Sequence, residues 1–231
     1  MLQENLESVQ AKIAAACHRV HRDPGEVTLI AVSKTKPLDA IETLMDCNVM
    51  DFSENKVQEL VQKYETIKAP VHWHLIGHLQ TNKVKYIIDK VALIHSVDSF
   101  KLANQIQKEA VKHNVTANIL VQVNIAKEAT KFGVSKEETE FLITEISRLS
   151  NVRVKGLMTT APMVDDAENN RTYFKQMKEL FIDIKGKNID NIDMQVLSMG
   201  MTNDYEAAIE EGATMVRIGT GIFGSRTYPQ V

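Results

Sequence analysis

Eight short runs of apolar, β-favouring residues, each separated from the next by a helical or turn-rich stretch, constrain this chain more than any other feature. They occupy residues 28–33, 49–52, 72–77, 91–97, 117–123, 152–158, 193–197 and 215–218. Helical periodicity fills several of the gaps, at 39–47, 56–64, 99–113 and 204–211. Phe174, Met177, Phe181 and Ile184 mark a further apolar face, and Gly186 and Gly212 stand where left-handed helix caps are expected. A helix also precedes the first run, because Leu2, Leu6, Val9, Ile13 and Val20 recur on one face; Asp23-Pro24-Gly25 closes it. Strands alternating with helices indicate parallel βαβ units. The fold class expected is therefore α/β, a single (β/α)8 TIM-type barrel with an extra N-terminal helix, spanning residues 1–231 as one domain. The length of 231 residues suits such a barrel, typically about 250 residues. An open doubly wound sheet has the same alternation, and periodicity does not separate the two.

Composition excludes some functions. The formal net charge is −3, with no basic run and no acidic tail, so neither nucleic acid nor a membrane is an expected partner. The apolar stretch at 13–17 is too short for a signal-peptide core, and Glu4 and Glu7 stand where positive charge is expected. No stretch reaches the roughly 18 apolar residues of a membrane span. Cytoplasmic location is the expectation, with Cys17 and Cys47 as small buried hydrophobes in a reducing compartment.

In α/β barrels the active site lies at the carboxyl ends of the strands. Those ends collect the polar and glycine residues of this sequence: Ser33-Lys34-Thr35-Lys36, Ser53-Glu54-Asn55, Ile76-Gly77-His78, Gln122-Val123-Asn124, Met158-Thr159-Thr160, Ser198-Met199-Gly200-Met201-Thr202 and, around Arg217, Gly219-Thr220-Gly221. The rim after strands seven and eight, where barrels often hold a phosphate, carries Ser198, Gly200, Thr202, Gly219 and Thr220. Residues 219–224 formally match G-x-G-x-x-G, but the helix, strand and acidic residue that a dinucleotide fingerprint needs do not follow.

Lys34 ends the most buried-looking run of the first half. At a barrel mouth its ammonium would be partly desolvated, with Lys36 adding positive charge, and both effects favour the neutral amine. A neutral amine attacks carbonyls and forms Schiff bases. Set beside a phosphate-type rim, it points to a phosphorylated aldehyde, of which pyridoxal 5′-phosphate (PLP) is the commonest. A rival reading uses His72, His74 and His78, the first two sharing a strand face, with His95 as an addition, as ligands of a catalytic metal; no carboxylate clearly completes that set, and no metal is expected.

The motifs at 31–37 (Ala-Val-Ser-Lys-Thr-Lys-Pro), 73–83 (Trp-His-Leu-Ile-Gly-His-Leu-Gln-Thr-Asn-Lys), 156–159 (Gly-Leu-Met-Thr), 197–201 (Leu-Ser-Met-Gly-Met) and 215–220 (Met-Val-Arg-Ile-Gly-Thr) resemble the pyridoxal phosphate homeostasis proteins. The fold of that family is similar to the N-terminal barrel of alanine racemase, and the resemblance spans nearly the whole chain. It implies that Lys34 carries PLP covalently. It implies that Ser198, Met199, Gly219 and Thr220 hold the phosphate, some through backbone amides, that Arg217 faces the pyridine nitrogen, and that Asn55 and Ile76 line the ring. Two departures are visible: Ser53 replaces the family's glycine beside Asn55, and Lys56 stands where some relatives carry Tyr.

PLP enzymes exploit a protonated pyridine nitrogen as an electron sink, and an arginine cannot supply that proton acceptor. Alanine racemase adds a second domain and a partner subunit with another base, and only seven residues follow Gly224 here. The expected function is a non-enzymatic PLP carrier or buffer in vitamin B6 homeostasis, a monomer with transient contact to apo-enzymes. The alternative is a weak amino-acid racemase or another small PLP enzyme.

Overall fold

The computed structural model describes residues 1–224. Eight parallel strands close into a barrel in sequence order: β1 (Thr28–Val32), β2 (Asp51–Glu54), β3 (His72–Leu75), β4 (Leu93–Val97), β5 (Ala117–Gln122), β6 (Val152–Met158), β7 (Ile192–Met201) and β8 (Met215–Ile218). Closure is by β1 on β8, with Ile30 opposite Arg217 and Ala31 opposite Ile218. This settles the choice between barrel and open sheet.

The helices are α1 (Leu2–Arg19), α2 (Leu38–Asp46), α3 (Val57–Thr66), α4 (Phe100–His113), α5 (Lys136–Ile146), α6 (Arg171–Gly186), α7 (Tyr205–Glu210) and the single-turn α8 (Thr220–Phe223). The link from β3 to β4 holds only the 3-10 segment Thr81–Tyr86. The N-terminal helix buries Leu6, Val9, Ile13, Ala16 and Cys17. It packs against α7, α8 and α2, closing the helical ring where the short α8 leaves room. Asn5 ties it to the Ile222 carbonyl at 2.9 Å, and Arg22 to the Ile209 carbonyl at 2.7 Å.

Several sequence expectations shift at their edges. The seventh strand runs on through Met201, so Ser198 to Met201 are strand residues rather than loop. The second begins at Asp51 and reaches Glu54. Helix α5, which the periodicity did not bring out, begins with a capping box of Ser135 and Glu138. Gly212 takes the left-handed conformation (φ +97°), but Gly186 does not; Asn188 (φ +48°) provides that turn two residues later. Cys17 is fully buried, whereas Cys47 is half-buried.

Side chains alternate across each strand. The outward set, including Ala31, Phe52, Trp73 and Leu75, joins the helices in one apolar layer, with the Phe52 and Trp73 rings 5.9 Å apart. The inward set forms a smaller apolar plug of Ile30, Leu93, Leu120, Met158 and Met215. Gly156 (φ +150°) is required where β6 meets β7, since a Cβ there would lie 1.7 Å from the Val196 carbonyl oxygen.

Candidate functional site

Alternation along β1 sends Ile30 and Val32 inward and carries Lys34, in the turn that follows, to the same side. A cavity of about 560 Å³ opens at the carboxyl end of the barrel, and Val32, Lys34, Ile76, Arg217, Gly219 and Thr220 line it. Five of the residues expected from the sequence therefore share one cavity. Asn55, Ser198 and Met199 are not among its lining residues. Asn55 follows β2, and its backbone lies so close to Gly77 that a Cβ at 77 would come within 2.2 Å of the Asn55 oxygen. Met199 is buried in the outer apolar layer. Ser198 faces the barrel interior, where its hydroxyl accepts a hydrogen bond from Arg217 Nη1 at 2.5 Å and lies 3.1 Å from His95 Nδ1. The Ser198 hydroxyl is thus engaged below the cavity.

The turn bearing Lys34 is held from behind. Lys63 on α3, 5% exposed, donates to the Ser33 carbonyl at 2.8 Å, to Glu54 Oε1 at 2.7 Å and to Glu59 Oε1 at 2.7 Å. The Ser33 hydroxyl donates to Glu54 Oε1 at 2.7 Å, and the Thr35 amide to Glu59 Oε1 at 2.6 Å. Both neighbours of Lys34 are therefore fixed by one buried ion cluster, and Thr35 adopts a left-handed φ of +63°. Burial pushes the Glu54 carboxyl up, and the hydrogen bonds from Lys63 and Ser33 only partly offset it. Lys36 reaches across to the Phe223 carbonyl at 3.3 Å.

Arg217 lies 3% exposed on β8. Its Nη2 donates to the Thr159 carbonyl at 2.8 Å, and burial lowers its guanidinium pKa to about 10, with Asp204 opposing. Gly219 and Thr220 open α8, whose first amides lack acceptors within the helix; the Gly221 amide donates to Thr202 Oγ1 at 3.3 Å. The site thus offers an amine, a guanidinium and a turn of backbone amides around one cavity. Those groups suit a phosphorylated aldehyde.

Sequence reasoning missed part of the mouth. Lys131, from the segment after β5, donates to the Ala161 carbonyl at 2.9 Å, and it lines the cavity with Met163, Asn170 and Asp204. The strand ends read from the sequence contribute Lys36, Thr160, Met201 and Thr202 to the same mouth. The histidines also resolve differently. His74 and His95 are buried and 3.0 Å apart, and Asp51 is the carboxylate beside them, within 3.2 Å of His72 and 3.0 Å of His74. Among the described residues no cluster of three or more His, Cys, Asp or Glu could hold a metal ion.

A closed barrel of eight parallel strands is the fold that solved alanine racemases share with this chain. Residues 5–227 match the alanine racemase N-terminal domain, and the chain belongs to that family. Relatives that match nearly its whole length include pyridoxal phosphate homeostasis proteins. That of Aquifex aeolicus is 44% identical over 226 residues, covering 97% of this chain and 98% of the relative. That of Escherichia coli K12 is 37% identical, covering 98% and 97%. The solved structure of PipY from Synechococcus elongatus with PLP bound superposes with a TM-score of 0.84 at 30% identity, covering 97% of this chain and all of PipY. Alanine racemase of Clostridium difficile shares the fold (TM-score 0.75, 16% identity), covering 99% of this chain and 56% of that enzyme.

Proposed function

We propose that this chain is a PLP-binding homeostasis protein that carries or buffers PLP on Lys34 without robust turnover. The observation that carries the reading is the convergence of Lys34, Ile76, Arg217, Gly219 and Thr220 on one cavity. Relatives named for PLP homeostasis, and PLP in the PipY structure, support it. The Lys34 amine adds to the aldehyde carbon, water leaves, and a Schiff base joins protein and ligand. Gly219 and Thr220 would hold the phosphate through backbone amides and the Thr220 hydroxyl, with Ser198 and Met199 contributing backbone alone. Ile76 packs on the ring, and Asn55 borders it.

PLP acts in enzymes by drawing electrons into its pyridine ring. Arg217 has no lone pair with which to accept a proton, so it would donate a hydrogen bond to an unprotonated ring nitrogen and weaken that sink. This favours holding over turnover. A cytoplasmic monomer that yields PLP to apo-enzymes fits this reading, with a weak racemase as the alternative.

Borohydride reduction of the PLP-loaded protein followed by peptide mapping tests the covalent role. Label on Lys34 is expected, and label confined to other lysines overturns it. Exchange of the α-hydrogen of alanine in deuterated water tests the second part. Exchange at enzyme-like rates would replace the carrier by the racemase.

A further inference from the structure

A file of polar side chains crosses the barrel interior from its floor to the cavity. Asp51 opens β2 at the amino end of the barrel, His74 lies on β3, His95 on β4, Ser198 on β7 and Arg217 on β8. Successive contacts are Asp51 Oδ1 to His74 Nε2 at 3.0 Å, His74 Nδ1 to His95 Nε2 at 3.0 Å, His95 Nδ1 to Ser198 Oγ at 3.1 Å and Ser198 Oγ to Arg217 Nη1 at 2.5 Å. Ser198 and His95 are fully buried and His74 is 3% exposed.

The chemistry of the ends fixes the direction of the whole file. A guanidinium only donates, so Ser198 Oγ accepts from Arg217 and its own proton goes to His95 Nδ1. His95 then carries its proton on Nε2 and donates to His74 Nδ1. His74 carries its proton on Nε2 and donates to the Asp51 carboxylate, which only accepts. With both imidazoles neutral, every proton in the file has one acceptor. A cationic His74 would reverse the His95 tautomer, and Ser198 Oγ would then receive two donors and have to turn its own proton elsewhere. Burial, reinforced by His74 and Arg217, holds the His95 pKa well below the usual histidine value. For Asp51, burial works upward, but the hydrogen bonds from His74 and His72 bring it down on balance.

We propose that Asp51, His74, His95 and Ser198 are positioning residues that form a hydrogen-bond chain of single polarity, orienting Arg217 and coupling the barrel floor to the group it faces. The chain consumes one N–H of Arg217, and the Thr159 carbonyl consumes another. The remaining donors are thereby presented at the cavity with a fixed aim. A negative end at Asp51 polarises each bond in the same sense, which strengthens the pull on Arg217 from four bonds away. That the group faced is the ring nitrogen of PLP rests on the proposed function; the polarity of the chain does not.

The test therefore has an arm without cofactor. In PLP-free protein labelled with 15N-histidine, NMR at neutral pH is expected to show His74 and His95 protonated at Nε2 and bare at Nδ1. A proton on Nδ1 of either ring, or a cation at either, overturns the proposal. In Asp51→Asn, which keeps the shape and removes the charge, the His95 Nδ1 resonance is expected to move as well as that of His74. Should that variant not fold, Ser198→Ala cuts the chain at its other end and must shift the His74 resonances as well as the adjacent His95 Nδ1. A change confined to the cut site makes Asp51 a local cap and overturns the coupling.

The second arm follows the visible absorption of the PLP-loaded protein with pH. The charged groups around the chain are Asp51, His72 and Arg217, and those that line the cavity with Arg217 are Lys34, Lys36, Glu128, Lys131 and Asp204. Asp51→Asn is expected to move the pH midpoint by about half a unit or more, as loss of one partly buried charge implies. An unmoved midpoint overturns the coupling. Expected tautomers in a protein that takes up no PLP uphold the chain and overturn the proposed function instead.

Discussion

Replacing Lys63 with Met removes one charge from the cluster behind Lys34 and leaves the rest in place. Met keeps the apolar stem and omits the ammonium, which makes three short hydrogen bonds, to Ser33 O, Glu54 Oε1 and Glu59 Oε1. Glu54, fully buried, then has no countercharge, and its Oε2 already lacks a partner among the described residues. Removing one member of such a pair costs about 3–5 kcal/mol. The pH dependence separates this cause from a simple packing defect. The Glu54 carboxyl is already raised by burial, and without Lys63 it rises further. A carboxyl raised in the folded state contributes stability that is fully present below its unfolded value, about 4.3, and is lost as pH rises through the folded value. The variant's deficit relative to wild type is therefore largest near pH ~8 and shrinks toward pH ~5. Urea unfolding of both proteins at the two pH values measures it. A deficit of equal size at both, or one below about 1 kcal/mol at the higher pH, would refute the reasoning. Because Ser33 and Thr35 lose their anchor, borohydride-trapped PLP on Lys34 is also expected to accumulate more slowly in the variant.

Three further outcomes are expected. Gly156→Ala places a Cβ 1.7 Å from the Val196 oxygen at a φ of +150°, so it should cost roughly 3 kcal/mol or more, read as a fall in melting temperature; an unchanged melting temperature would show that β6 and β7 part easily. Thr220→Val should weaken PLP by about 1.5–3 kcal/mol and unphosphorylated pyridoxal hardly at all, measured by titration; equal losses would remove Thr220 from the phosphate. Dialysis against a chelator should leave PLP uptake unchanged, and loss of uptake restored by zinc would revive the metal reading of the histidines.

The sequence by itself determined the eight strands, the helix before them and the rim on which chemistry collects, because these depend on period and on local turn chemistry. Lys34, Ile76, Arg217, Gly219 and Thr220 were legible as rim residues for the same reason: each stands within the last two positions of a short apolar run or just beyond it. Direction and partnership were decided only by closure of the barrel. Asp51 and Ser198 are 147 residues apart, yet a file of two histidines joins them because β2, β3, β4 and β7 all face one interior. From the sequence, His72 and His74 had the spacing of metal ligands and Ser198 the company of phosphate loops. In the folded chain the Ser198 hydroxyl meets Arg217 and His95 below the cavity, and His74 spends both ring nitrogens on protein partners. The ion cluster around Lys63 was equally hidden, since nothing local distinguishes a buried lysine on α3 from the solvated ones beside it. A strand's period tells which side a residue faces, but what waits on that side is set by chain segments far away in sequence, and only the tertiary structure brings them there.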